Sequence, residues 1–215
     1  MAEGALAPEV VTGSCRPSVL GRGLGRVPRT WCDAGVNIDI RQETSSDAPA
    51  VRQLVADAFA NAEHSAPPVE ADGVPGEATL VGWLRDTDAY ESEFALVASD
   101  GGATVGYAVA TWGDLDGAPV LGVGPIAVAP TCQGRGVGSS LMRELLRRAA
   151  ERGERVVVLL GDPAYYSRFG FAPASRFGIV ADPAWGAYFQ ACALDVEPDV
   201  PSGTYTYAEP FARLG

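Results

Sequence analysis

The stretch Val128-Ala129-Pro130-Thr131-Cys132-Gln133-Gly134-Arg135-Gly136-Val137-Gly138-Ser139 decides how this chain is read, because glycine alternates three times just before a helical pattern begins. From Val137 to Arg152 the apolar residues Val137, Leu141, Leu145 and Ala149 recur every fourth position, which predicts a helix with one buried stripe. Glu144 with Arg148 and Arg147 with Glu151 form i, i+4 pairs on its exposed side, and Gly153 supplies a stop. Upstream, Pro119 to Val128 reads as a strand interrupted by Gly122 and Gly124, which suit a bulge or a ligand's close approach. Downstream, Val156-Val157-Val158-Leu159-Leu160 is apolar on both faces, as a central parallel strand must be. Strand, turn, helix and parallel strand make a right-handed βαβ unit. The first amides of its helix lack acceptors and the helix dipole adds positive charge, so an anion is favoured there by about 0.3–2 kcal/mol from the dipole alone. Gly134, Gly136 and Gly138 have no Cβ to keep a pyrophosphate away from that backbone.

Three kinds of phosphate loop compete for this turn. A Walker A loop requires Gly-Lys-Ser/Thr, and all 16 basic residues of this chain are arginine. A dinucleotide-binding turn requires G-x-G-x-x-G, but Ser139 occupies the third glycine position, and Ala129-Pro130-Thr131-Cys132 separates strand from turn. The third possibility is a resemblance. Val128-x-Pro130-x-x-Gln133-Gly134-Arg135-Gly136-Val137-Gly138-Ser139 closely resembles the Gln/Arg-x-x-Gly-x-Gly signature of the GCN5-related N-acetyltransferases (GNAT). Gly161-Asp162-Pro163-Ala164-Tyr165-Tyr166-Ser167-Arg168-Phe169-Gly170-Phe171 resembles the later motif of the same family, a short helix ending in Gly-Phe. The order of predicted elements from residue 36 to 215 is similar too, and the paired tyrosines before Arg-Phe-Gly-Phe resemble a bacterial subgroup.

The resemblance implies an α/β fold: a mixed, mostly antiparallel sheet, splayed between two central parallel strands, with helices on both faces. It implies acetyl-CoA as co-substrate, with pantetheine bonded to backbone around Ile126, Ala127 and Val128. The pyrophosphate would lie on the amides of Gly134, Arg135, Gly136, Val137, Gly138 and Ser139, with Gln133 in the same signature. The acetyl group would pass directly to an amine, without an acyl-enzyme and without a metal. Tyr166, four residues before Gly170, matches the family's usual general acid, and Tyr165 is the alternative. A phenol with pKa about 10 can protonate a departing thiolate of pKa about 8.5. An alkylamine acceptor of pKa about 10.4 is neutral in only about one molecule in 2,500 at pH 7. A base would therefore help, and Glu91, Glu93, Asp114 and Asp116 lie near strand ends, where they serve equally as solvated carboxylates. The rival readings are a CoA-binding sensor without turnover and an interaction module on the same scaffold. A homodimer is compatible with the resemblance.

The rest of the chain is consistent with one domain. At 215 residues and 47% hydrophobic content it can bury one good core. The net charge of −11 argues against a nucleic-acid partner and suits a cationic small-molecule amine as acceptor. No apolar run reaches the roughly 20 residues that a membrane span requires. Cys15, Cys32, Cys132 and Cys192 form no C-x-x-C pair, and His64 is the single histidine, so neither zinc nor a disulfide framework is expected. With no secretory signal in the sequence, four reduced thiols in a cytoplasmic protein are expected. Cys132, beside the helix start, is read as a passive thiol rather than a nucleophile, and Trp83, Trp112 and Trp185 as packing residues. Residues 1–35, rich in Gly, Pro and Arg without periodicity, are expected to be an irregular, dispensable extension to an acetyltransferase domain spanning 36–215. Ser46 or Asp47 should cap a helix with the stripe Val51, Leu54, Val55, Ala58 and Phe59. A second short helix should carry Leu80, Val81 and Leu84. Strands are expected at 36–41, 94–99, 104–112, 178–181 and 204–207.

Overall fold

The computed structural model describes residues 38–62, 65–194 and 200–214, so the expectations about residues 1–35 and about His64 lie outside the described residues. Strands β1 (Ile38–Gln42), β2 (Tyr90–Asp100), β3 (Ala103–Leu115) and β4 (Ala118–Val128) form an antiparallel meander. β4 then pairs in parallel with β5 (Val156–Leu160), and β5 pairs antiparallel with β8 (Phe189–Ala193), which also carries the two-residue β6 (Ala172–Pro173). The sheet order is β1-β2-β3-β4-β5-β8-β6, with the short β7 (Ile179–Val180) joined through β9 (Gly203–Thr206) to the end of β3. This is the mostly antiparallel sheet with one central parallel pair that the family resemblance implied.

Alternate residues of the central strands feed two separate cores, which places helices on both faces. Phe94, Leu96, Ala98, Ala108 and Ala110 meet α3 (Val137–Arg152) through Val137, Leu141, Met142, Leu145 and Ala149. Ala95, Val97, Tyr107 and Val109 meet α1 (Ala48–Phe59) and α2 (Gly76–Arg85) on the other side. Burying a leucine as completely as Leu141 or Leu145 contributes about 1.5–3 kcal/mol. Gly106 lets α3 settle close to β3: a Cβ there would stand 2.7 Å from Val137 Cγ1 and 2.9 Å from Leu141 Cδ1. The start of α3 is therefore held at a fixed depth above the sheet.

Three details differ from the sequence reading. Asp47 does occupy the N-cap of α1, but its carboxylate caps nothing there. It accepts from the Thr44 amide at 2.8 Å and from Arg41 Nη1 and Nη2 at 2.7 Å each, which holds it well below the usual carboxylate range, Arg41 being the main cause. β8 and β6 were not expected, because Phe189-Gln190-Ala191-Cys192-Ala193 shows no clear alternation. Gln190 is buried there by donating from Nε2 to the Gly161 carbonyl at 2.7 Å. Of the late strands, β7 is two residues shorter than expected and β9 starts one residue earlier at the same length. One buried carboxylate fastens β1 to the α1/α2 side: Glu43 accepts from Arg85 Nε at 3.1 Å, Tyr90 Oη at 2.7 Å and Tyr107 Oη at 3.1 Å.

Candidate active site

Left-handed backbone at Gly134 (φ 73°) and Gly136 (φ 85°) lets the chain turn sharply off β4 and enter α3. The first helical bond runs from the Ser140 amide to the Gly136 carbonyl at 2.9 Å, so Val137, Gly138 and Ser139 keep amides with no intrahelical acceptor. Gly134, Arg135 and Gly136 are exposed, Val137 and Gly138 are buried, and Ser139 is half-buried. Gln133 supports the turn rather than facing solvent: its Nε2 donates to the Val128 carbonyl at 3.2 Å. Beneath the turn, Cys132 is buried, with Arg135 Nη1 at 3.9 Å from its sulfur. A Cβ on Gly138 would come to 3.3 Å from Tyr165 Oη and 3.4 Å from Val128 Cγ2, so the absence of a side chain keeps this floor open.

Next to the turn the sheet divides. β4 and β5 pair at Leu121 with Val157, Gly122 with Val158 and Val123 with Leu159, and the pairing stops there. Beyond it β4 continues through Gly124, Pro125, Ile126, Ala127 and Val128 against β3 alone, across a register shift between Ala108 and Ala110. The Gly124–Pro125 bond is cis. The Ala129 amide donates to the Val105 carbonyl on β3 at 3.0 Å. Because peptide directions alternate along a strand, Ala127 also points its peptide groups toward β3, whereas Ile126 and Val128 point theirs into the gap. Of the three residues expected along the pantetheine arm, Ile126 and Val128 thus offer backbone groups there, and Ala127 sets the spacing between them.

The short helix α4 (Pro163–Tyr166) closes the far side of the gap, and a 3-10 turn over Ser167–Phe169 extends it to Gly170 (φ 95°). Asp162 caps it, accepting from the Ala164 amide at 2.8 Å. The two tyrosines diverge as neighbouring helical residues must. Tyr165 reaches the start of α3, its Oη 3.4 Å from Ser139 Oγ. Tyr166 turns inward, 2% exposed, and packs over Gly161, where any Cβ would collide with its ring. Phe171 and Tyr165 meet it edge-on at 5.8 and 5.0 Å between centroids. Tyr166 belongs to the same apolar cluster as Ile126, Val128 and Leu159, which line the divided part of the sheet.

The carboxylates considered as bases have other duties. Glu91 and Glu93 pair with Arg152 at 3.0 and 3.1 Å, beside the far end of α3. Asp114 accepts from the Gly117 amide at 3.1 Å in the β3–β4 turn, and Asp116 continues that turn at φ 47°. Trp83 and Trp112 pack beneath Arg213 and Arg152, and Trp185 packs against Tyr207. Among the described residues no group of three His, Cys, Asp or Glu could hold a metal ion, and no helix is long and apolar enough to cross a membrane. The sequence reading passed over Arg143 and Arg168, whose guanidiniums lie over Phe169 at 5.6 Å and over Tyr165 at 4.6 Å. A signal for Arg143 was available: it has no acid three or four residues away, unlike Arg147 and Arg148.

This site coincides with a match to the model of the acetyltransferase (GNAT) domain over residues 39–174. The chain belongs to the GNAT family. It is 35% identical over 139 residues to the uncharacterized N-acetyltransferase YhbS of Escherichia coli K12, covering 64% of this chain and 75% of YhbS. It is also 31% identical over 134 residues to YjhQ of the same strain, over 60% of this chain and 67% of YjhQ. In three dimensions this GNAT chain is similar to crystalline E. coli YhbS in complex with CoA, with TM-score 0.72 and 32% identity over 86% of this chain and 98% of that one. A GNAT acetyltransferase from Brucella melitensis in complex with acetyl-CoA matches with TM-score 0.64 and 32% identity, over 82% of this chain and 99% of that one.

Proposed function

We propose that this GNAT acyltransferase, with acetyl-CoA as co-substrate, moves the acetyl group directly onto a primary amine of a small molecule or protein. The observation that carries the reading is the junction of two unsatisfied backbone edges. The free amides at the start of α3 adjoin the stretch of β4 that β5 abandons after Val123. A diphosphate suits the first edge, where charge-assisted bonds to amides are each worth about 1.5–3 kcal/mol. An extended diamide suits the second, since Ile126 and Val128 would bond it as a neighbouring strand does. One molecule that joins a diphosphate to an extended diamide is coenzyme A, and the relatives crystallised with CoA and acetyl-CoA support this choice. Gln133, by holding the Val128 carbonyl, keeps turn and strand in register.

Tyr166 is assigned as the general acid and Tyr165 as a positioning residue at the turn. In the step itself the neutral amine nitrogen bonds to the acetyl carbon and the carbon–sulfur bond breaks. The thiolate takes the phenol proton, and the surplus proton of the new amide leaves through water and restores the phenol. The acidic balance of the chain supports a cationic amine as the acceptor that reaches the site from solution. The test is thiol release from acetyl-CoA against a panel of polyamines, aminoglycosides and peptide amines, read with mass spectrometry of the products. Tyr166→Phe should lower kcat by about 10²–10⁴-fold, the range for a lost general acid, while CoA affinity stays within about twofold. Unchanged turnover in that variant refutes the role of Tyr166. No acetylated product from any amine, with CoA binding intact, refutes transfer.

A further inference from the structure

Arginines divide into two populations on this surface. Within α3, Arg147, Arg148 and Arg152 are each tied to carboxylates: Arg147 to Glu144 and Glu151, Arg148 to Glu144, and Arg152 to Glu91 and Glu93. Arg135, Arg143 and Arg168 have no ion pair among the described residues, although the chain carries eleven more acidic than basic residues, 27 against 16. All three are exposed, and they are carried by the glycine turn, by α3 and by the 3-10 turn that follows α4. Arg135 stands within the glycine turn itself. Arg143 lies one turn along α3 from Ser139, on the same face. Arg168 lies over the ring of Tyr165, whose hydroxyl is 3.4 Å from Ser139 Oγ.

Aromatic rings, rather than carboxylates, hold two of these cations in place. Arg168 sits 4.6 Å from the Tyr165 centroid and Arg143 sits 5.6 Å from the Phe169 centroid, while those two rings meet edge-on at 5.5 Å. A cation parked over a ring face keeps its charge uncompensated and its N–H groups available, unlike one in a bidentate pair with Glu. On an acidic protein such a cluster also offsets the long-range repulsion that a polyanion would meet. Planar guanidiniums match phosphate oxygens well, and three of them just outside the free amides exceed what one diphosphate on those amides requires.

We infer that Arg135, Arg143 and Arg168 form a cationic rim that engages the 3′-phosphate of coenzyme A and makes the enzyme discriminate CoA thioesters from their dephospho forms. The inference rests on the CoA reading proposed above and adds a specificity to it. The discrimination comes from exposed ion pairs, so it is modest and fades as salt rises. Arg147 is the internal contrast: it is equally exposed on the same helix but already paired on both sides, and it takes no part.

Titration calorimetry of the full chain with CoA and with dephospho-CoA, at low and high salt, tests this. Wild-type protein should bind CoA about tenfold more tightly than dephospho-CoA at low ionic strength, with the ratio shrinking toward one at about 1 M salt. The double variant Arg143→Ala/Arg168→Ala should lose most of that ratio by weakening CoA alone, and Arg143→Lys/Arg168→Lys should keep most of it. Arg147→Ala should leave the ratio where it was. Equal wild-type affinity for the two ligands, or an equal loss of discrimination in Arg147→Ala, overturns the inference while leaving CoA binding in place. Failure of both ligands to bind folded protein overturns the CoA reading with it.

Discussion

The two ends of α3 are built from similar residues and arrive at opposite states. At the C-terminal end everything is answered. Gly153 takes the left-handed cap, Arg148 and Arg152 reach across to Glu144, Glu93 and Glu91, and Arg152 also lies over Phe94 and Trp112 at 5.5 and 5.3 Å. At the N-terminal end little is answered. Three first-turn amides lack a helical acceptor, glycines replace side chains, and the nearby Arg135, Arg143 and Arg168 have no ion pair among the described residues. The contrast teaches that unsatisfied groups here are not poor packing, since the same helix shows how completely this sequence can satisfy a terminus. They mark the end where coenzyme A, in the function proposed above, would supply the missing partners.

The largest expected effect comes from making the open end resemble a self-sufficient one. Gly138→Asp places a carboxylate against the first-turn amides, which helix electrostatics favour, and its Cβ needs only a few tenths of an ångström from Tyr165 and Val128. Thermal stability should hold or rise slightly, while CoA affinity measured by calorimetry should fall by about 100-fold, the equivalent of one or two lost charge-assisted bonds. Tight CoA binding by this variant would break the comparison. A smaller, opposite effect is expected at the closed end. Arg152→Ala leaves Glu91 and Glu93 facing each other and uncovers Phe94 and Trp112, and should cost about 1–2 kcal/mol in denaturant unfolding without altering CoA affinity.

The smallest effect is a pH dependence. Arg147 first, and then Arg148, hold the Glu144 carboxyl below its usual range. A carboxylate lowered in this way stabilises the fold above its unfolded pKa, and that contribution is lost as pH falls through the folded value. Glu144→Gln should therefore lower stability by about 0.5 kcal/mol at neutral pH and by progressively less below about pH 4, with CoA binding at neutral pH unaffected. An equal deficit at pH 7 and pH 3 would show that the pair contributes through packing alone.

Much of this was legible in the sequence because it is written in local terms. The glycine turn, the boundaries of α3 and its buried stripe follow from spacing within a few residues. The division between β4 and β5 followed from resemblance rather than from periodicity. Less legible was whatever depends on a distant partner. β8 is recognisable only once β5 lies beside it and Gln190 has found the Gly161 carbonyl. Asp47 looked like a plain cap because Arg41 had no visible reason to reach it. Arg168 acquires its place only when Tyr165 folds beneath it, and nothing in the string Tyr-Tyr-Ser-Arg announces that stacking. Which tyrosine faces the helix start was likewise a question of rotation about a short helix, which only coordinates answer.

The split sheet has a mechanical consequence. The first-turn amides travel with the β1–β4 half, since Gly106 seats α3 directly on β3, whereas the tyrosines travel with the β5–β8 half, to which Gln190 ties Gly161. Past Val123 no strand ladder joins the halves, so coenzyme A bound as proposed would act as a rivet between them, and the empty protein should breathe along this seam more than the loaded one.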